Sequence, residues 1–224
     1  MLELSIDTAS EMASIALSRG GQVIAEKSWL CQRNHTVELL PAIDELFSNA
    51  GLARGDLTAV FVSTGPGMYT GLRVGIATAK GLARAASLPL VGVGRLELDA
   101  YPDAAFDGEV VAIHKAGRGE LAWAAYRHGH EIAAPSLAKP VELAGFVSER
   151  TLFTGEIDDS LATTLRDSLG DLAVFPPDPA PGRGAALAHL GHARLIAGGT
   201  HEPALLVPIY LRPPAIGPQA PHSA

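Results

Sequence analysis

A single cysteine, Cys31, stands in the 224-residue chain, which excludes an internal disulfide framework and any cysteine-cluster zinc site. It reads as a small apolar residue. Positive charge is also scarce: 17 Lys and Arg against 24 Asp and Glu give a net charge of −7. That sign is wrong for a protein that grips nucleic-acid phosphates over a broad face, so any RNA in its biology is expected to be held by a partner. No apolar run approaches the ~18 residues of a membrane span, and no basic-then-apolar leader precedes the first strand signal. The chain is therefore expected to be cytoplasmic and to have no membrane partner. What remains is an ordinary globular composition, 47% hydrophobic and 18% charged, enough for one large domain or two small ones. Proline gathers at the end, from Pro203 to Pro221, and marks residues 213–224 as an expected flexible tail.

Glycine is concentrated in one place, Ser63-Thr-Gly-Pro-Gly-Met-Tyr-Thr-Gly-Leu-Arg73. An apolar run over 57–62 leads in, and an Ala/Gly-rich segment over 70–86 leads out, so the order is strand, tight loop, helix. Gly65 and Gly67 flank Pro66, which gives a sharp, rigid turn. Thr70 stands where a helix N-cap belongs, and the unpaired amides after it make a site for a phosphate or carboxylate. Any strand-to-helix connection in an α/β protein also calls for such glycines, and this plainer reading stays open beside the other.

Upstream, Leu2–Asp7, Met12–Leu17 and Gln22–Leu30 read as three strands, with Arg19-Gly20-Gly21 as a hairpin turn, making an antiparallel meander. Asp7-Thr8 ends the first strand. Val37, Leu40, Ile43, Leu46 and Phe47 recur at helical steps after His35-Thr36, and Pro41 predicts a kink or a later true start. A short strand over 89–93 and a helical turn over 96–101 follow. Downstream come strands over 109–113 and 121–126, turns at 116–119 and 128–130, a helix over 141–149, a strand over 151–154, a helix over 160–169, a strand over 172–175 and a helix over 185–197. This second half repeats the first only in part.

Three antiparallel strands extended by helix-linked strands differ from a doubly wound dinucleotide fold. They fit an α/β, actin-like plan (the sugar kinase, Hsp70 and actin class, ASKHA): two lobes, with mixed sheets flanked by helices. The expected lobes are 1–102 and a smaller 103–212. Asp7 and Thr8, with Gly65, Gly67, Thr70 and Gly71, are the nucleotide or anion-binding candidates.

Leu4-Ser-Ile-Asp-Thr-Ala-Ser10, Gly65-Pro-Gly-Met-Tyr-Thr-Gly-Leu-Arg73, Lys80-Gly-Leu82, Trp123 with Tyr126, and Pro208-Ile-Tyr-Leu-Arg212 resemble the TsaB, or YeaZ, family over residues 2 to about 212. The resemblance implies a non-catalytic subunit, a pseudo-enzyme, in the bacterial machinery that transfers threonylcarbamoyl to adenosine in tRNA. It implies a heterodimer with a catalytic paralogue, TsaD, a further ATPase partner, TsaE, and ATP or ADP with magnesium at the shared interface. The catalytic paralogue carries His-x-x-x-His, a spacing that no two histidines have here. Where the family has an aspartate before Ala-Arg, this chain reads His114-Lys115-Ala116, which removes a candidate magnesium-side carboxylate.

Gly71, Gly75, Ala79 and Ala83 leave one stripe of the second long helix almost bare, and each interior glycine costs about 1 kcal/mol against alanine. Close packing offsets that cost, either within the domain or against a partner helix. The family pairs through its first two helices, which implies Leu39, Ile43, Leu46, Arg73, Val74, Gly75, Thr78 and Leu82 as interface candidates, with a homodimer open to the free chain. His35 reads as a packing residue, His128 and His130 as solvated, and His189 with His192 as too few for a metal site. The rival readings are an ATPase or kinase acting alone through Asp7, and a glycoprotease-like peptidase. Ser5, Ser10 and Ser63 read as ordinary strand-end and turn residues.

Overall fold

The computed structural model describes residues 1–32, 34–176 and 182–212; the expected tail lies outside them. The first half runs β1 (Leu2–Asp7), β2 (Met12–Arg19), β3 (Gln22–Leu30), α1 (His35–Ala50), β4 (Leu57–Ser63), α2 (Tyr69–Ala85), β5 (Leu90–Val93) and α3 (Arg95–Ala100). The second runs β6 (Glu109–Gly117), β7 (Glu120–Arg127), β8 (His130–Ala138), α4 (Pro140–Ala144), β9 (Thr151–Gly155), α5 (Asp159–Leu169), β10 (Ala173–Val174) and α6 (Gly184–Ile196).

Each half builds a five-stranded sheet, in the orders β3-β2-β1-β4-β5 and β8-β7-β6-β9-β10. In both, the first three strands are antiparallel and the last two run parallel to the first. The strand repeat is thus complete, where the sequence predicts a partial one. The element that escaped sequence reading is β8. It carries Pro135 and exposed polar residues, which periodicity treats as loop; an edge strand tolerates both because one side of its ladder is open. The helix expected over 141–149 closes after Ala144, since Gly145 follows and the chain turns back toward β9.

The helices are exchanged between halves. Leu4, Ile6, Val60 and Val62 pack one face of the first sheet against Leu39, Ile43 and Leu46 of α1 and Ile76 and Ala79 of α2. Its other face is covered by α6 from the second half, through Phe61, Val91, Ala186 and Leu187. Reciprocally, α3 of the first half lies on the second sheet, where Leu96 and Ala100 meet Val110, Ala112 and Ala124. Under α6, Glu3 is fully buried in β1 and its carboxylate is satisfied by the Ser18 hydroxyl at 2.6 Å, the Gly21 N–H at 3.0 Å and His192 Nδ1 at 2.8 Å.

Two local expectations change. α1 starts at His35 and passes through Pro41; the carbonyl that loses its donor belongs to Val37, a residue 74% exposed, where water can take the bond. α2 starts at Tyr69 with Met68 as its N-cap, because Met68 N–H is held by Ala9 O at 2.8 Å and Leu72 N–H closes on Met68 O at 2.9 Å. Thr70 is therefore already inside the helix.

The bare stripe of α2 packs within this chain, on the turn after β1. A Cβ on Gly71 would lie 2.1 Å from Thr8 O, and one on Gly75 2.2 Å from Thr8 Oγ1. Thr8 Oγ1 itself donates to Gly71 O at 2.8 Å. Gly81, on the same helix, faces open space. Gly75→Ala is expected to destabilise by about 1–3 kcal/mol through overpacking, whereas Gly81→Ala stabilises by about 1 kcal/mol through helix propensity. Urea denaturation midpoints of the two variants should move in opposite directions.

Candidate functional site

The ends of β1, β6 and β9 meet α3 and the start of α6 between the two halves, and buried charge collects there. Arg95, fully buried at the start of α3, donates from Nη2 to Glu156 Oε1 at 2.6 Å and from Nη1 to Ala9 O at 3.3 Å. His114 Nδ1 lies 2.7 Å from Arg95 Nη1 and 2.8 Å from Glu156 Oε2. Arginine only donates and carboxylate only accepts, so this ring nitrogen serves one neighbour at a time when the imidazole is neutral. Burial pushes the His114 pKa down from its ordinary 6.5, and the Arg95 charge adds to this against the opposing Glu156 hydrogen bond. Burial works the other way on Glu156, but its bond to His114 and the charges of Arg95 and His114 hold it far below the usual carboxylate range.

A second arginine completes the cluster. Arg183, just before α6, donates from Nε to Asp99 Oδ1 at 2.5 Å and from Nη1 to Asp7 Oδ2 at 3.3 Å and Ser10 Oγ at 3.2 Å. Its backbone N–H is held by Ser14 Oγ at 3.2 Å. Burial opposes its charge, but Asp99 and Asp7 more than compensate and hold its proton above the ordinary arginine range. Asp7, Arg95 and Asp99 come from the first half, and His114, Glu156 and Arg183 from the second. Beside Arg183 opens a cavity of about 470 Å³, bordered by Met12 and Leu98 on one side and by Gly155, Asp158 and Ala162 on the other.

Of the predicted anion set, Asp7 lies in this cluster, but both its oxygens are engaged: Oδ1 accepts Ala9 N–H at 3.0 Å and Oδ2 faces Arg183. Magnesium at Asp7 does not fit, since the dication would sit against a guanidinium. Thr8 and Gly71 are buried against each other, and Gly65 and Gly67 border other cavities on the far side of the glycine loop. Thr70 is exposed. The six residues do not line one open pocket.

Of the predicted interface set, Leu39, Ile43 and Leu46 are at most 4% exposed within this chain's own core, and Gly75 is closed off by Thr8. These four face inward because the apolar stripe of α1 and the bare stripe of α2 are the surfaces that meet the sheet. Arg73 is exposed, and Val74, Thr78 and Leu82 are half-buried at the helix edge. Sequence reading missed Arg95, Asp99, Glu156 and Arg183. Arg95 and Asp99, four apart among Leu96, Leu98 and Ala100, carried a signal: opposite charges at helical spacing in an apolar turn pair and bury together.

A family model described as "TsaD: tRNA N6-adenosine threonylcarbamoyltransferase" matches residues 22–163. The tRNA threonylcarbamoyladenosine biosynthesis protein TsaB of Bacillus subtilis is 34% identical over 227 residues, covering 95% of this chain and 94% of that protein. The solved structure of YeaZ from Pseudomonas aeruginosa matches with a TM-score of 0.72 at 25% identity, over 94% of this chain and 99% of that one. The ROK hexokinase from Thermus thermophilus matches in fold alone, with a TM-score of 0.52 at 11% identity over 87% and 99% of the two chains. The fold is actin-like, with mixed sheets flanked by helices.

Acid should loosen the cluster. His114 binds its proton less readily folded than unfolded, so stability falls as pH drops below about 6.5, where the unfolded histidine takes up a proton. Glu156, depressed from 4.5, adds a further loss as pH falls below that value. A thermal-unfolding series from pH 8 to 4 should show a falling Tm below about pH 6.5, with His114→Gln flattening its first part. Arg183→Met leaves buried Asp7 without its cation and Asp99 with Arg95 alone, and is expected to cost about 3–5 kcal/mol, measured by chemical denaturation at pH 7.5.

Proposed function

This chain belongs to the TsaB (YeaZ) family, and on that footing we propose that it serves tRNA threonylcarbamoyladenosine biosynthesis as a non-catalytic partner of a TsaD-like transferase. The observation that carries the reading is the state of the cleft acids. Asp7 and Asp99 face Arg183, and Glu156 faces Arg95. Among the described residues no group of three or more His, Cys, Asp and Glu is placed to hold a metal. Phosphoryl transfer requires metal-side carboxylates and a positioned base. Carboxylates neutralised by arginine supply neither, which favours the partner reading over an ATPase acting alone.

What the chain then contributes is surface. α1 turns Val37, 74% exposed, and Leu40, 54% exposed, away from the sheet, and neighbouring α2 adds exposed Arg73 beside Val74, Thr78 and Leu82. Apolar side chains this open on adjoining helices suit burial against a protein, as does a central arginine. A second copy of the chain would use the same face in the absence of the transferase, and a TsaE-like ATPase would join the assembled pair. No helix among the described residues is long and apolar enough to cross a membrane.

The test is titration calorimetry of the chain with its TsaD-like paralogue, alongside an ATPase assay on the chain alone. Val37→Glu with Leu40→Glu is expected to weaken the complex by about tenfold or more, the size of a typical interface anchor, with Tm unchanged. Undiminished binding would remove the α1 face from the interface. ATP turnover by the isolated chain would overturn the partner reading.

A further inference from the structure

The surface of this acidic chain carries one helix whose charges are all positive. α2 holds Arg73, Lys80 and Arg84 and no aspartate or glutamate, in a protein whose net charge is −7. Steps of seven and four residues put the three cations on one face of the helix, over a length of about 17 Å. Arg73 and Arg84 are exposed and Lys80 is half-buried. Between them Ala77 and Gly81 are exposed, and a Cβ on Gly81 would meet nothing within 4 Å, so the face is open to close approach. Among the described residues none of the three cations is in an ion pair, whereas Arg54 and Lys115, also exposed, pair with Asp44 and Asp158.

Helix stability does not account for Arg73. The helix dipole favours cations toward the C-terminal end, where Lys80 and Arg84 lie, but Arg73 is near the N-terminal end, on the disfavoured side. It is nevertheless held in place. The guanidinium carbon lies 3.9 Å from the centroid of the Tyr69 ring, Nε donates to the Tyr210 hydroxyl at 3.2 Å, and the two rings stack with centroids 5.3 Å apart. Tyr210 comes from the segment after α6, 137 residues along the chain from Arg73. Side chains from two distant segments thus fix an exposed guanidinium in one orientation, and its Nη1 and Nη2 groups meet no carboxylate among the described residues. Ordering so long a side chain costs rotamer freedom. A planar acceptor on the fork offsets that cost.

Resting on the partner reading above, we propose that this face of α2 takes an acidic segment of the TsaD-like paralogue: one carboxylate of that segment accepts two N–H groups from the Arg73 fork, and others face Lys80 and Arg84. Tyr69 and Tyr210 are positioning residues, which aim the fork outward before the partner arrives. The charge of the face is complementary to a carboxylate-bearing helix or loop, and the exposed Ala77 and Gly81 let its backbone come close. A protein suits this surface better than RNA does. Three cations on an acidic chain are too few for a phosphate track, and the adjoining α1 exposes Val37 and Leu40, apolar surface that a protein covers.

The experiment is titration calorimetry of the full chain with the paralogue at about 0.1 M and about 1 M salt, the higher of which screens exposed charge pairs. Arg73→Gln is expected to weaken the complex about tenfold at the lower salt, as for loss of one charge-assisted pair, and to make the affinity less dependent on salt. Arg73→Lys keeps the charge without the fork, and should restore the salt dependence but not the affinity. Tyr210→Phe keeps the ring and removes the hydroxyl that orients Nε; it should weaken binding in the wild-type background and have no effect beside Arg73→Gln. Wild-type binding that Arg73→Gln leaves unchanged removes this contact and leaves the partner reading standing, whereas a wild-type chain that does not bind the paralogue overturns both. In a gel-shift titration of the chain with tRNA no binding is expected; binding that the same substitutions abolish assigns the face to phosphate and overturns the proposal.

Discussion

Two arginines, Arg95 fully buried and Arg183 partly buried, hold the halves of this molecule together. Taking a guanidinium and several carboxylates out of water is costly unless each finds its partners at hydrogen-bonding distance. Here those partners come from both halves: Arg95 from the first reaches Glu156 and His114 of the second, and Arg183 from the second reaches Asp7 and Asp99 of the first. The pairing can be satisfied only in one relative placement of the sheets. The exchange of α3 and α6 between them adds an apolar counterpart to the same constraint.

That constraint also shapes what the cleft can do. An actin-like core brings the ends of its first hairpins together, and in this chain the meeting place is filled by internal salt bridges. Asp7 sits at the end of the central strand, with its acceptor capacity taken up by a backbone N–H and by Arg183. The close seat of α2 on Thr8 through Gly71 and Gly75 fixes the glycine loop on the turn beside Asp7.

Much of the architecture was legible in the residues. Alternation marked β1 to β3, helical periodicity marked α1, and the glycine loop marked the passage from β4 to α2, because each is a local pattern set by which side chains must face the core. The edge strand β8 was not legible, since its solvent side removes the apolar alternation. The N-cap of α2 lies two residues earlier, at Met68 in place of Thr70, because a tertiary bond, Met68 N–H to Ala9 O, outranks the capping preference of Thr70. Leu39, Ile43 and Leu46 were visible as an apolar stripe, but a stripe does not say whether a sheet or another protein covers it.

By itself the sequence determined the order of strands and helices apart from β8, the actin-like class and the family, since these follow from local periodicity and from motifs contiguous along the chain. Only the tertiary structure decided that Asp7 is neutralised, that the bare stripe of α2 is closed by Thr8, and that His114 joins Arg95 and Glu156. The partners in those contacts lie as far as 176 residues apart. No local pattern encodes which of several buried charges will meet, because that choice is made by the packing of the two sheets.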